Sequence, residues 1–205
     1  LPGMPNGFLT DYGRDFYAPQ SWYGIPKEDG RKIWIGWCNH WAYSNQVPTD
    51  SWRGVMSLPR EIFLEESDCG PILRQLPVDE FKKLRKRTEI RKNVGISGET
   101  IFLDSKCSHE FLLYVENPSE CSFEFSFNYN EGEFWKLNWE SVNSLLTLDR
   151  SGLNSSAFND FFCEPSVVEI KETEKMELRI ILDRSIVEIY VMEGKYVMTY
   201  QIFPS

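Results

Sequence analysis

The stretch MELRIILDRSIVEIYVMEGKYVMTYQIF, residues 176–203, decides the fold. Met176, Leu178, Ile180 and Leu182 recur at every second position, and Val187, Ile189 and Val191 do the same. Successive side chains of a strand point to opposite faces, so this period marks one face turned toward a core. Glu193-Gly194 supplies a turn before the next run, Tyr196 to Phe203. The pattern predicts consecutive antiparallel strands. Working outward, Phe123, Phe125 and Phe127 alternate with Glu124 and Ser126, and Ile33 to Trp37 form a short apolar run between Asp29-Gly30 and Asn39. Strand signals dominate, and the expected class is all-β.

The composition bounds the function. With 205 residues and 41% hydrophobic content the chain is long enough, and apolar enough, for one large or two modest globular domains. A net charge of -9 argues against nucleic acid or an anionic membrane as partner, because binding phosphates needs a basic field. A neutral substrate is the expectation. The five cysteines have no C-x-x-C pair, and whether Cys107 and Cys121 join depends on strand adjacency. His40 and His109 are the only histidines, and no Cys/His/Asp cluster has metal-ligand spacing. A phosphate-cradling glycine loop and a G-x-S-x-G nucleophile turn are also missing from the sequence. No cofactor and no metal are expected.

One segment breaks the strand pattern. Val78 to Lys92 is rich in Lys and Arg, with Val78, Phe81, Leu84 and Ile90 as its apolar anchors. It reads as a solvated linker or short surface helix rather than a polyanion site. Five of the seven Trp lie between residues 22 and 52, whereas the later part is built from Phe, Leu, Ile and Val. The shift predicts an aromatic-rich unit over 1–77, a linker over 78–87 and a β-sandwich over 88–205.

Aromatic residues interleaved with short polar ones fill the first unit. A sugar ring presents an apolar C–H face that stacks on Trp or Tyr, and hydroxyls that need amides, carboxylates or Arg. The strings DYGRDFYAPQSW (11–22) and IWIGWCNHWAYSNQVPTDSWRGVMSLPREI (33–62) resemble two adjoining motifs of glycoside hydrolase family 32, the β-fructofuranosidases. LDRSIVEIYVMEGKYVMTYQIFP (182–204) is similar to the closing strands of the same family. The resemblance implies the last part of a five-bladed β-propeller followed by a C-terminal β-sandwich, with the substrate in a funnel at the propeller axis. It implies that Tyr17 and Trp41 line the site of the terminal fructose, flanked by Asp15, Gln20 and Asn39, while Trp37 packs within its strand. VPT (47–49), WRG (52–54) and MSLPREI (56–62) resemble the exo-inulinase and levanase branch, with Arg60 or Glu61 expected to pair across the blade.

Retaining glycoside hydrolysis needs two carboxyl groups about 5 Å apart. The family's W-M-N-D-P-N, R-D-P and E-C motifs supply its carboxylates. The first two strings do not occur here, and Glu120-Cys121 and Cys163-Glu164 lie far into the later unit. Asp11 and Asp15 are the acidic pair beside the aromatics, but four positions along a strand separate them by roughly 13 Å. The resemblance therefore implies an N-terminal portion of the same enzyme as partner, carrying the acids, and a chain that is inactive alone. It also implies sucrose or a fructan as ligand, an extracellular or vacuolar setting and the sandwich as an oligomer contact. A non-catalytic carbohydrate-binding or interaction module is the alternative.

Overall fold

The computed structural model describes residues 9–68, 70–92, 95, 100–103, 107–129, 132–171 and 174–204. The aromatic-rich unit is one antiparallel sheet. Its path runs β1 (Tyr17–Ser21), β2 (Lys32–Cys38), β4 (Arg60–Glu65) and β5 (Ile72–Pro77), with the short β3 (Val55–Met56) also paired to β2. Four antiparallel strands in one path are the make-up of a propeller blade, and we call the sheet the blade. A 3-10 helix, Asp79–Leu84, follows β5, and its Phe81 packs on Ile181, Tyr190 and Val197. The basic segment thus opens as a helical turn pinned by one aromatic ring.

The second unit is a sandwich of two four-stranded sheets. One sheet runs β10 (Ser166–Glu169), β9 (Leu145–Asp149), β8 (Phe134–Glu140), β7 (Phe123–Asn128); the other runs β13 (Tyr196–Gln201), β12 (Ile186–Val191), β11 (Lys175–Leu182), β6 (His109–Glu116). The alternation read at Met176–Leu182 and Val187–Val191 supplies the inner face of one sheet, and the same period at Trp135–Trp139 and Leu146–Leu148 supplies the other. Trp135, Leu137, Trp139, Leu146 and Leu148 meet Met176, Leu178, Ile180, Ile189 and Met198 in one core, and Phe127 stacks flat on Trp135 at 3.9 Å. Cys121 carries a free thiol, so it forms no disulfide with Cys107.

β12 and β13 depart from simple alternation. Every residue of β12 is buried, including Glu188, and so are Thr199 and Gln201 of β13. A strand buried on both faces has a layer on each side. Here the second layer is the blade. Residues 11–16 run along β13, with the amides of Tyr12 and Asp15 donating to the carbonyls of Val197 and Thr199 at 2.7 and 3.0 Å. On the far side Gln75 N donates to the Gly194 carbonyl in the β12–β13 turn at 3.1 Å. The two units are therefore stitched by main chain before any side chain is counted.

Candidate functional site

Three aromatic rings converge at the end of the blade where β1 begins. Tyr17 faces Trp41 edge-on, with centroids 6.0 Å apart and planes at 86°. Trp37 backs both rings, 6.3 Å from Tyr17 and 5.4 Å from Trp41, and its indole N–H donates to the Arg53 carbonyl at 3.0 Å. Tyr17 is 47% and Trp41 66% exposed, while Trp37 is half-buried. Apolar rings of this size turned to solvent beside one another form a platform for an apolar face of a ligand. Antiparallel pairing places them: Tyr17 lies opposite Trp37, and Trp41 follows on the turn that leaves β2.

Of the flanking residues, Gln20 is exposed on β1, opposite Ile35. Asp15 and Asn39 are not accessible: both have no exposed surface. Asn39 Oδ1 accepts from the His40 amide at 2.8 Å, which folds the side chain back on its own turn. Asp15 Oδ2 accepts from Arg150 at 2.6 Å and from the Gln201 amide at 2.8 Å, and Oδ1 accepts from the Tyr43 hydroxyl at 2.5 Å. The fold thus engages the Asp15 carboxylate and the Asn39 amide oxygen within the chain itself. Their oxygens are spent on holding the chain. His40 likewise caps a turn, its Nδ1 accepting from the Ala42 amide at 3.1 Å.

A second buried network lies along residues 11–16, the strap that runs beside β13. Arg60 reaches Glu188 at 2.6 Å, Asp11 at 2.9 Å, the Gln75 side chain at 3.2 Å and the Thr199 hydroxyl at 2.6 Å. Its guanidinium also lies 4.1 Å over the Phe16 ring. Asp11 holds the Gly13 and Thr199 amides at 2.8 and 2.9 Å. Burial pushes the Asp11 carboxyl above its ordinary value, an effect that Arg60 and Thr199 only partly offset. Burial also drives the Cys38 thiol far up, with Glu188 adding to it, so Cys38 is a packed thiol and not a nucleophile. Arg60 or Glu61 was expected to pair across the blade; Arg60 does bond Gln75 on β5 and Asp11 within its own unit, and it also pairs across the boundary between the units with Glu188, 128 positions away in sequence.

Neither Arg150 nor Tyr43 stood out in the sequence as more than a charged and an aromatic residue. The only available signal was the spacing of Asp11, Gly13 and Asp15, alternate positions that match Thr199 and Gln201 along β13. An open cleft of about 620 Å³ adjoins the platform, between Tyr17 and His40 on the blade side and Phe161 and Val167 on the sandwich side. Among the described residues no group of three or more His, Cys, Asp or Glu converges as metal ligands do.

Comparison with known proteins assigns both units. The N-terminal domain model of glycosyl hydrolases family 32 matches residues 6–77, and the family's C-terminal domain model matches residues 80–205. The chain belongs to glycosyl hydrolase family 32. It is 37% identical to a levanase of Bacillus subtilis, covering 98% of the chain and 31% of that protein. It is 31% identical to the raffinose invertase of Escherichia coli, over 95% of the chain and 38% of that protein. Among solved structures the exo-inulinase of Aspergillus awamori superposes with a TM-score of 0.86 at 25% identity, covering all of this chain and 41% of that one. The family 32 chain spans between about a third and two-fifths of the length of these relatives. Its all-β architecture, blade plus sandwich, agrees with the family fold.

Proposed function

We propose that this chain is the C-terminal part of a β-fructofuranosidase that removes terminal fructosyl residues from sucrose or fructans with retention, and that Tyr17 and Trp41, flanked by Gln20, hold the fructosyl ring. One observation carries the reading: the two exposed rings stand edge-to-face, and Tyr17 also lines an open cleft. The relatives' names, levanase, raffinose invertase and exo-inulinase, support the substrate class. The catalytic carboxylates come from a segment outside residues 1–205. Asp11 and Asp15 are each locked to a buried guanidinium at 2.9 and 2.6 Å, which supports that division. A retaining pair must instead face each other across the sugar.

An exo-inulinase of Aspergillus niger, 27% identical, is named as extracellular, and an extracellular setting is proposed here too. No helix among the described residues is long and apolar enough to cross a membrane. The reading is tested by titrating the chain with fructose while following tryptophan fluorescence. Trp41→Ala is expected to weaken binding at least about tenfold, the effect of deleting an aromatic anchor. The chain alone is expected to release no fructose from sucrose or inulin, and to support release once the segment bearing the acids is restored. Fructose binding that survives Trp41→Ala unchanged would move the site onto the sandwich and favour a binding module.

A further inference from the structure

We infer that Arg150, a residue of the sandwich, is a positioning residue for the fructosyl site on the blade, acting through Asp15 and the Tyr43 hydroxyl to hold Tyr17 and Trp41 in register. The inference rests on the fructosyl-site reading above for its ligand, and on geometry for the rest. Asp15 precedes Tyr17 by two positions, and Tyr43 follows Trp41 by two. Both meet one guanidinium, Asp15 at 2.6 Å and Tyr43 at 3.1 Å, and the Tyr43 hydroxyl closes the triangle by donating to Asp15 at 2.5 Å.

The guanidinium is itself fixed from the sandwich side. Arg150 donates to the carbonyls of Phe162 at 2.8 Å and Gln201 at 2.6 Å, and lies 3.4 Å over the Phe162 ring. Arg150 is 1% exposed, Asp15 0% and Tyr43 1%. Burial works against the Arg150 charge, but Asp15 and Tyr43 outweigh it and keep the side chain cationic. A buried ion pair is a poor source of net stability compared with apolar packing, whereas a fully satisfied network fixes the geometry of the groups it joins. The two rings are the part in need of fixing. Trp41 stands 66% in solvent, so its placement is set by the turn beneath it, whose Tyr43 and Val47 sit in a cluster with Phe162 and Phe203. Binding one ring face on two aromatics tolerates displacements of about half an ångström.

Tyr43→Phe tests this, because it removes the hydroxyl and leaves the ring in its cluster. Thr199→Val is the matched control: it removes a hydroxyl from the Arg60 network and keeps the Thr199 carbonyl that accepts from the Asp15 amide. The first readout needs no ligand. Trp37 and Trp41, 5.4 Å apart, should give an exciton couplet in circular dichroism, assigned by its loss in Trp41→Ala. In Tyr43→Phe the couplet is expected to diminish and fructose affinity to fall about tenfold, the worth of one hydrogen bond to a charged group. In Thr199→Val the unfolding midpoint drops while couplet and affinity stay at wild-type values. A Tyr43→Phe couplet equal to wild type, or an equal loss in Thr199→Val, overturns the positioning role. A couplet that responds as expected in a protein with no fructose affinity upholds positioning and removes the fructosyl reading instead.

Discussion

At the scale of single residues, Gly13 shows how close the strap lies to the sandwich. A Cβ at this position would collide with the backbone nitrogen and oxygen of Thr199. No flexible side-chain end is available to yield, because the obstacle is main chain within a sheet. Gly13→Ala is therefore expected to destabilise by about 1–3 kcal/mol through overpacking, read from urea denaturation of the two proteins side by side. A midpoint equal to wild type would mean that the strap can lift off β13 without loss. Asp11 and Asp15 on either side of Gly13 illustrate the same point chemically. Their carboxylates resemble candidates for sugar contact or acid catalysis when read as letters. In the fold each is sealed by a guanidinium and by amides of Thr199 or Gln201.

At the scale of elements, β6 is the edge strand of the sheet that docks on the blade, and Glu110 is its electrostatic anchor. Glu110 accepts from Arg179 on β11 at 2.7 Å and from Arg85, just after the 3-10 helix, at 2.5 Å. Burial pushes the Glu110 carboxyl up, but the two guanidiniums outweigh it and hold the carboxyl below the ordinary glutamate range. A carboxyl depressed in the folded state binds protons more readily when unfolded. Its contribution is therefore present above the unfolded value and lost as pH falls toward the folded one. Urea midpoints measured from about pH 6 down to about pH 3 should fall less steeply in Glu110→Gln than in the wild type, with the two curves converging at the acid end. Parallel curves would show that Glu110 carries none of the acid sensitivity. The same contact ties the basic segment down, which is why a run rich in Lys and Arg sits quietly on an acidic protein.

At the scale of the whole molecule, one sheet of the sandwich serves two cores at once. Its inner face packs on the opposing sheet, and its outer face, through Glu188, Tyr190, Thr199 and Gln201, packs on the blade. Glu188→Ala leaves Arg60 buried with one carboxylate fewer, and is expected to cost about 3–5 kcal/mol. Because Glu188 bridges the units, calorimetry of this variant should show the blade melting ahead of the sandwich, where the wild type melts once. A single unshifted transition would deny the bridge its role. The strands themselves were legible in the sequence: Met176 to Leu182, Val187 to Val191 and Phe123 to Phe127 each carry the period of two, which depends only on a few neighbouring residues. That Tyr17 and Trp41 share one site was implied by the family resemblance rather than by any local pattern, and the fold brings their rings to 6.0 Å. The partners of the charges were not legible in the sequence. Asp15 meets Arg150 across 135 positions and Arg60 meets Glu188 across 128, and no local pattern encodes such a meeting. By itself the sequence determined the all-β class and the strands around Ile33, Phe123, Met176, Val187 and Tyr196, because periodicity and turn chemistry act over a handful of residues. Only the tertiary structure decided which polar groups face the ligand side and which seal the boundary, because that choice is made when two preformed layers dock and every buried charge must find its counterpart.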